Sequence, residues 1–373
     1  MKIAIAKEDV ARDSRAPIVP VGIKKLVDLG AEVAVEKGIG AGINISDSQY
    51  VEAGAEVAAD RKTLLADADM VLRLNKPTLD EAAQLNPGTI LVGFLDPFED
   101  RPLLEKLAAG GVTALAMEMI PRTTLAQKMD ALSSQANLAG YAAVILAAEA
   151  SKKILPMMST PSGTISPARV FIIGAGVAGL QAIATAKRLG AIVEAFDTRP
   201  VVEEQVRSLG GRFVKVDLGE TGETEQGYAR ELTREQLDRQ REVMAKHCEK
   251  SDIVITTAQI FGRKAPVIVT GEMVDRMRPG SIIVDLAVET GGNVEGSKPG
   301  KVVVKNGVQI IGLCPFPAHV SEDASLMYSN NLVNLISHFW DQENKTFVLN
   351  LEDEILQGCL LTHNGEICQE RFK

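Results

Sequence analysis

Gly174, Gly176 and Gly179 stand in the spacing G-x-G-x-x-G, and Asp197 follows roughly 20 residues after them. Each glycine answers a different need. Gly174 permits a tight turn, Gly176 lets a pyrophosphate approach a backbone without a Cβ, and Gly179 lets the following helix pack on its strand. A helix starting there offers unpaired N–H groups and positive potential to phosphates. The glycines alone are weak evidence; the context makes them specific. An apolar strand pattern, Val170 to Ile173, precedes the turn, and the apolar run Ala191 to Phe196 ends directly on Asp197. That context disfavours a tight βα turn without a ligand. A carboxylate at Asp197 accepts hydrogen bonds from a ribose 2′-hydroxyl and repels a 2′-phosphate, which favours NAD(H) over NADP(H). Arg199 could instead meet a phosphate, but beside Asp197 it reads as an adenosine-side packing or surface residue.

A second group of polar residues lies upstream. Gln127, Asp130 and Ser133 recur every three residues, so a helix would set them near one face. They bring an amide, a carboxylate and a hydroxyl together. A nicotinamide carboxamide needs both donors and acceptors to fix which ring face it presents. Arg122, following Pro121 at the end of a strand-like run, could hold Asp130 or a ribose oxygen. By spacing alone, a solvated helix face explains these residues better. A third segment, Leu218 to Tyr228, is acidic and rich in glycine. It has the length of a lid with Tyr228 at its tip, although its composition favours an ordinary solvated loop.

The elements that must carry these residues follow a βαβ rhythm. Strand-like runs occur at Lys2–Ala6, Glu32–Glu36, Met70–Leu74, Thr89–Phe94 and Thr113–Met117, with a helix at Val21–Leu29 stopped by Gly30. A second cycle runs through Val170–Ile173, Ile192–Phe196, Arg212–Val216, Ile253–Thr256, Ser281–Leu286 and Val308–Ile311. Alternation of this kind predicts parallel sheets. The expectation is an α/β protein with two Rossmann-like, doubly wound domains separated by a cleft. Leu125 to Ile154 reads as a long helical connection with room for one break. The helical tail Ser325 to Trp340 returns the chain to the first domain, giving a discontinuous domain of residues 1–133 plus 320–373 and an inserted nucleotide-binding domain of residues 134–319.

Composition narrows the classes. The chain has 373 residues, which suggests about two to three domains, and 46% of them are hydrophobic, enough for substantial cores. Its formal net charge is −9 and no basic patch stands out, which argues against nucleic acid as a partner. Cys248, Cys314, Cys359 and Cys368 form no C-x-x-C pair, so neither a disulfide framework nor a metal site is expected, and a reducing compartment fits. Met1 to Glu8 reads as a strand and not as a signal peptide. The apolar run Leu138–Ala148 is short of the roughly 20 residues of a membrane span, so no direct membrane insertion is expected.

The chain resembles the NAD(H)-binding component of proton-translocating nicotinamide nucleotide transhydrogenases over essentially its whole length. The resemblance rests on Pro121 to Tyr141, Gly174 to Leu180, Gly227-Tyr-Ala229, Thr256-Thr-Ala258, Lys264-Ala-Pro266, Val284 to Ala287 with Gly291-Gly-Asn293, and Asn330 to Asn334. It implies that Arg122, Gln127, Asp130 and Ser133 hold the nicotinamide end of NAD(H). Val177, Asp197, Thr198 and Arg199 would contact the rest of the nucleotide, Gly227 and Tyr228 would close over it, and Gln240 and Gln259 would lie nearby. It implies direct, reversible hydride transfer between NADH and NADP⁺, with NADP(H) on a partner subunit and proton movement through a membrane-embedded one. A homodimer held on the cytoplasmic face of the membrane through those partners is the family pattern. The segment Ala11 to Ile18 departs from the family's usual opening: Arg15 is retained but its neighbours are not, which leaves the role of this loop open.

The alternative is an amino-acid dehydrogenase resembling alanine dehydrogenase. That chemistry makes or breaks an imine and needs a proton donor and acceptor beside the hydride site. The positions where that family carries a lysine and a histidine look like Asn75 and Asp96, with Lys76 one place displaced as a possible substitute. Hydride exchange between two nicotinamides needs positioning more than acid–base groups. A non-catalytic NAD(H) sensor is a third reading.

Overall fold

The computed structural model describes residues 1–216 and 233–373. They form two compact units, one of Met1–Gln135 with Ala318–Lys373 and one of Ala136–Pro317. The first unit opens with β1 (Lys2–Ile5), α1 (Pro20–Asp28), β2 (Glu32–Glu36), α2 (Asp47–Glu52), β3 (Glu56–Ala58), α3 (Arg61–Ala66) and β4 (Met70–Leu72). It continues with α4 (Leu79–Ala82), β5 (Ile90–Gly93), α5 (Arg101–Ala109) and β6 (Thr113–Ala116). The division of the chain falls inside α6 (Ala131–Ala150).

The second unit holds β7 (Met158–Thr160), β8 (Gly163–Ile165), β9 (Arg169–Ile173), α7 (Val177–Arg188), β10 (Ile192–Phe196), α8 (Glu203–Ser208) and β11 (Arg212–Phe213). After these come α9 (Arg234–Lys250), β12 (Ile253–Thr256), α10 (Gly271–Arg276), β13 (Ile282–Asp285), β14 (Lys301–Lys305) and β15 (Val308–Gly312). The returning chain adds α11 (Ser321–His338), β16 (Trp340–Asp341), β17 (Thr346–Phe347), α12 (Glu354–Cys359), β18 (Leu360–His363) and β19 (Glu366–Ile367) to the first unit.

Both large sheets share one plan. The first runs β3-β2-β1-β4-β5-β6, all parallel, and continues through antiparallel β18 and β19. The second runs β11-β10-β9-β12-β13-β15, all parallel, and ends on antiparallel β14. Each parallel run is the doubly wound order in which the chain reverses direction beside its first strand. In such sheets ligands bind outside the carboxyl ends of the strands at that reversal. The α/β class with two parallel-dominated sheets expected from the sequence is therefore what the chain adopts. The central strands β12 and β13 are buried at every position, which is why they read as continuous apolar runs.

The hairpin partners β14 and β19 were not expected from the sequence. Both hairpins turn on Asn-Gly pairs with positive φ at each residue, Asn306 (φ 50°) with Gly307 (φ 80°) and Asn364 (φ 50°) with Gly365 (φ 85°). That geometry matches the right-handed twist of the flanking strands.

α6 also differs from expectation. At 20 residues it is long and apolar enough to cross a bilayer, which the shorter apolar run had argued against. Ala142, Ala143, Val144 and Ala147 are buried in the second unit, so one side of the helix belongs to a protein core. Tyr141 and Ile145 remain exposed.

Candidate functional site

In the second unit the glycine turn follows β9, beside β12. Gly174 has φ +97°, and a Cβ there would lie 2.6 Å from Thr257 Oγ1. That hydroxyl donates to the Gly174 carbonyl at 3.0 Å. At Gly179 a Cβ would lie 1.9 Å from the Gly174 carbonyl oxygen. Gly176 is different. Among the described residues, its added Cβ would have only Arg199 Nη2 within 4 Å, at 3.9 Å. The first and third glycines are thus required by the protein's own packing, while the space over Gly176 fits a phosphate. α7 starts at Val177 with no side chain capping it, so its first N–H groups suit an anion. Gly140 of α6 meets α7 closely, where a Cβ would lie 2.1 Å from the Ala178 carbonyl oxygen.

Asp197 ends β10, where its carboxylate is committed. Oδ2 accepts from the Ala175 N–H at 2.8 Å and from Arg199 Nη2 at 2.9 Å. Oδ1 accepts from the backbone N–H and Nε of Arg199, both at 2.9 Å. A carboxylate has about four acceptor sites. The protein fills them all. Arg199, read from the sequence as an adenosine-side packing or surface residue, is the two-pronged partner of the acid it follows. Thr198 lies between them, half-buried.

The strand ends next to the glycine turn are fixed by two buried side chains. Asp285 accepts from Thr256 Oγ1 and from the N–H groups of Ala287, Asn293 and Val294. Asn293 accepts from the Ala258 N–H at 3.0 Å and donates to the Ala258 and Pro266 carbonyls. These residues, quoted in sequence only as motif matches, hold the Thr257–Gln259 turn in place. Gln259 is exposed on that turn. Gln240, on α9, is 3% exposed, and its Oε1 has no hydrogen-bond partner among the described residues. Gly227 and Tyr228 lie outside the described residues.

The polar group expected on one helix face is built otherwise. Gln127 lies in a short 3-10 turn, Ala126–Met129. α6 begins only at Ala131, after Asp130 leaves helical geometry with ψ 89°. Asp130 caps α6: its carboxylate accepts from the Ser133 N–H at 2.8 Å and Ser133 Oγ at 2.6 Å. Gln127, Asp130 and Ser133 therefore sit on a turn, a cap and a first helical turn. Arg122 and Gln127 are exposed.

The reversal point of the first sheet is filled by the protein's own charges. After β1, Glu8 accepts from the Leu74 and Asn75 N–H groups. Arg15 donates twice to Asp13 and once, through Nη1, to Gln135 at 2.7 Å. The Asn75 amide donates to Glu8 and Asp13. Arg73 pairs with Glu81 at 3.3 Å. Lys76 reaches Asp96 at 3.0 Å and Asp100 at 2.8 Å. Partial burial opposes its charge, yet the bonds to Asp100 and Asp96 outweigh it and hold the ammonium above the ordinary lysine range.

A family model described as the alanine dehydrogenase/PNT N-terminal domain matches residues 4–139, and one described as the alanine dehydrogenase/PNT C-terminal domain matches residues 143–370. The alpha-subunit chain of the Rhodospirillum rubrum NAD(P) transhydrogenase, the first of the parts into which that subunit is divided, is 48% identical, over 98% of this chain and 97% of its own. The crystal structure of a transhydrogenase from Sinorhizobium meliloti matches with a TM-score of 0.88 at 43% identity, covering 98% of this chain and 100% of that one. An alanine dehydrogenase of Halomonas elongata is 32% identical over 80% of this chain and 76% of its own.

Proposed function

The chain belongs to the alanine dehydrogenase/PNT family, and from that premise we propose that it is the NAD(H)-binding subunit of a proton-translocating transhydrogenase. The observation that carries this choice within the family is the crowded reversal point of the first sheet. An amino-acid dehydrogenase needs a cation for the substrate carboxylate and a group that can shed or take a proton. Here Arg15 is held by Asp13, and Lys76 is held charged between Asp96 and Asp100. Neither cation is left open to a substrate carboxylate, and Lys76 is held charged, not poised to release a proton. The 48% identity to a transhydrogenase subunit supports the same choice.

When bound, NADH supplies the hydride, and NADP⁺ on a partner subunit accepts it. The residues of this chain bind and aim. Gly176 and the start of α7 would hold the pyrophosphate, with Val177 alongside. Arg199 would leave Asp197 for a phosphate, freeing the carboxylate for the ribose hydroxyls, with Thr198 beside it. Gln127, Asp130, Ser133 and Arg122 would fix the carboxamide and nicotinamide ribose, so that one ring face is offered. Gly227 and Tyr228 would close over the nucleotide, and Gln240 and Gln259 would line its surroundings. The subunit acts as a homodimer, on the cytoplasmic face of the membrane, through its NADP(H)-binding and membrane-embedded partners.

The test is a pair of assays. NADH oxidation by NADP⁺ is expected only when the NADP(H)-binding subunit is added to this chain. NADH oxidation by the chain alone with pyruvate and ammonium would overturn the reading in favour of the dehydrogenase.

A further inference from the structure

The sequence reads Leu125 to Ile154 as a long helical connection with room for one break, and leaves open whether the helix runs on through Lys128. In an unbroken helix the Lys128 carbonyl would accept from the N–H four residues on. The break at Asp130 takes that partner away. Two asparagines of α11 replace it. Asn331 Nδ2 donates to the Lys128 carbonyl at 2.9 Å, and Asn334 Nδ2 donates to the same oxygen at 3.1 Å. The other end of the Asn331 amide is also used, since Oδ1 accepts from Ser134 Oγ at 2.7 Å. One buried side chain, 6% exposed, thus spans the break, with its donor on the 3-10 turn and its acceptor on the first turn of α6. A primary amide carries a donor and an acceptor on one short side chain and so does both at once. The pieces it joins are those that carry Gln127 on one side and Ser133 on the other, with Asp130 between.

We propose that Asn331, assisted by Asn334, is a positioning residue for hydride transfer: it holds the Ala126–Ser134 segment in its broken form and so sets where Gln127, Asp130 and Ser133 stand. This rests on the nicotinamide-holding role given to those three residues above. Neither asparagine is assigned contact with nucleotide. Their effect passes through the Lys128 carbonyl and the Ser134 hydroxyl. A reacting carbon misplaced by about 1 Å can cost on the order of 100-fold in rate while leaving most of the binding surface intact. Because both amides serve one carbonyl, each partly covers the loss of the other, and their effects are coupled.

The experiment uses the full chain reconstituted with its NADP(H)-binding partner and compares Asn331→Ala, Asn334→Ala and the double variant. Single-turnover hydride transfer is measured per bound NADH, with NADH affinity measured separately. Asn331→Ala is expected to slow transfer per bound NADH by about 10- to 100-fold and change NADH affinity less than about threefold. Asn334→Ala should slow it by about threefold, and the double variant by more than the product of the two. A merely structural asparagine would reduce the folded, nucleotide-binding fraction and leave the rate per bound NADH unchanged. That result, or equal losses in rate and affinity, overturns the proposal. Should Asn331→Ala fail to fold, Asn334→Ala decides, and an unchanged transfer rate there overturns it. If the unmodified chain with its partner transfers no hydride at all, the transhydrogenase reading falls, and this inference with it.

Discussion

Glu118 follows β6 by two residues, and its two carboxylate oxygens have different surroundings. Oε1 accepts from the Leu95 N–H at 2.8 Å and the Asp96 N–H at 2.6 Å, while Oε2 is buried without a partner. Burial pushes this carboxyl up to about 7, against those backbone hydrogen bonds and with help from the Asp96 charge. The unfolded chain loses the proton near pH 4.5 and the folded chain keeps it to about 7. Stability attached to Glu118 is therefore complete below pH 4.5 and is lost as pH rises through 7. Glu118→Gln removes that loss. Urea unfolding at pH 5 and pH 8 should show the variant gaining roughly 2 to 3 kcal/mol on the parent between the two. A difference that stays flat with pH would refute it. Asp197 shows how far single residues are legible. Its place after the second strand follows from spacing alone, but its capture by Arg199 depends on side-chain geometry that spacing does not carry.

At the scale of elements, the turn from β9 to α7 separates packing from binding. Gly176 has ordinary backbone angles and open space, so Gly176→Ala should leave the urea midpoint unchanged and weaken NADH binding about tenfold or more, through the methyl set against the pyrophosphate. Gly179→Ala drives a methyl into the Gly174 carbonyl and should cost about 1–3 kcal/mol of stability along with binding. Urea titrations and NADH fluorescence titrations check both. Two variants that behave alike would show that the glycines do not divide the work. The strands around this turn were readable because parallel strands buried on both faces are continuously apolar. A break in the connection that carries α6 was allowed for, but its place at Asp130 was not readable, because the groups that satisfy it lie about 200 residues further along the chain, on α11. β18 was missed for a similar reason: the Asn364-Gly365 turn announces a hairpin, but its pairing with β6 joins residues about 245 positions apart.

For the molecule as a whole, the second unit presents apolar side chains to solvent along one stretch of chain. Tyr141 and Ile145 are exposed on α6, followed by Met157, Met158 and Ile165 on and beside the β7–β8 hairpin. Every residue of that two-stranded ribbon is exposed, and such a ribbon is marginal alone in water. In the homodimer proposed above, a second copy of the chain would cover this stretch. Sedimentation equilibrium should give a dimer for the parent and a monomer for a Tyr141→Asp, Ile165→Asp double variant; a monomeric parent would dismiss the idea. The two-unit plan was readable from the double βαβ rhythm, but these exposed elements were not, since nothing in their spacing marks a strand or a surface. The insertion of residues 136–317 between the halves of the first unit also sets an order in time. During synthesis the second unit leaves the ribosome whole before residues 318–373 exist, and it can close on itself. The first 135 residues must wait, with β6 as an uncovered sheet edge until β18 arrives to pair with it. The half-built first sheet thus presents an unpaired edge for as long as the second unit takes to be made.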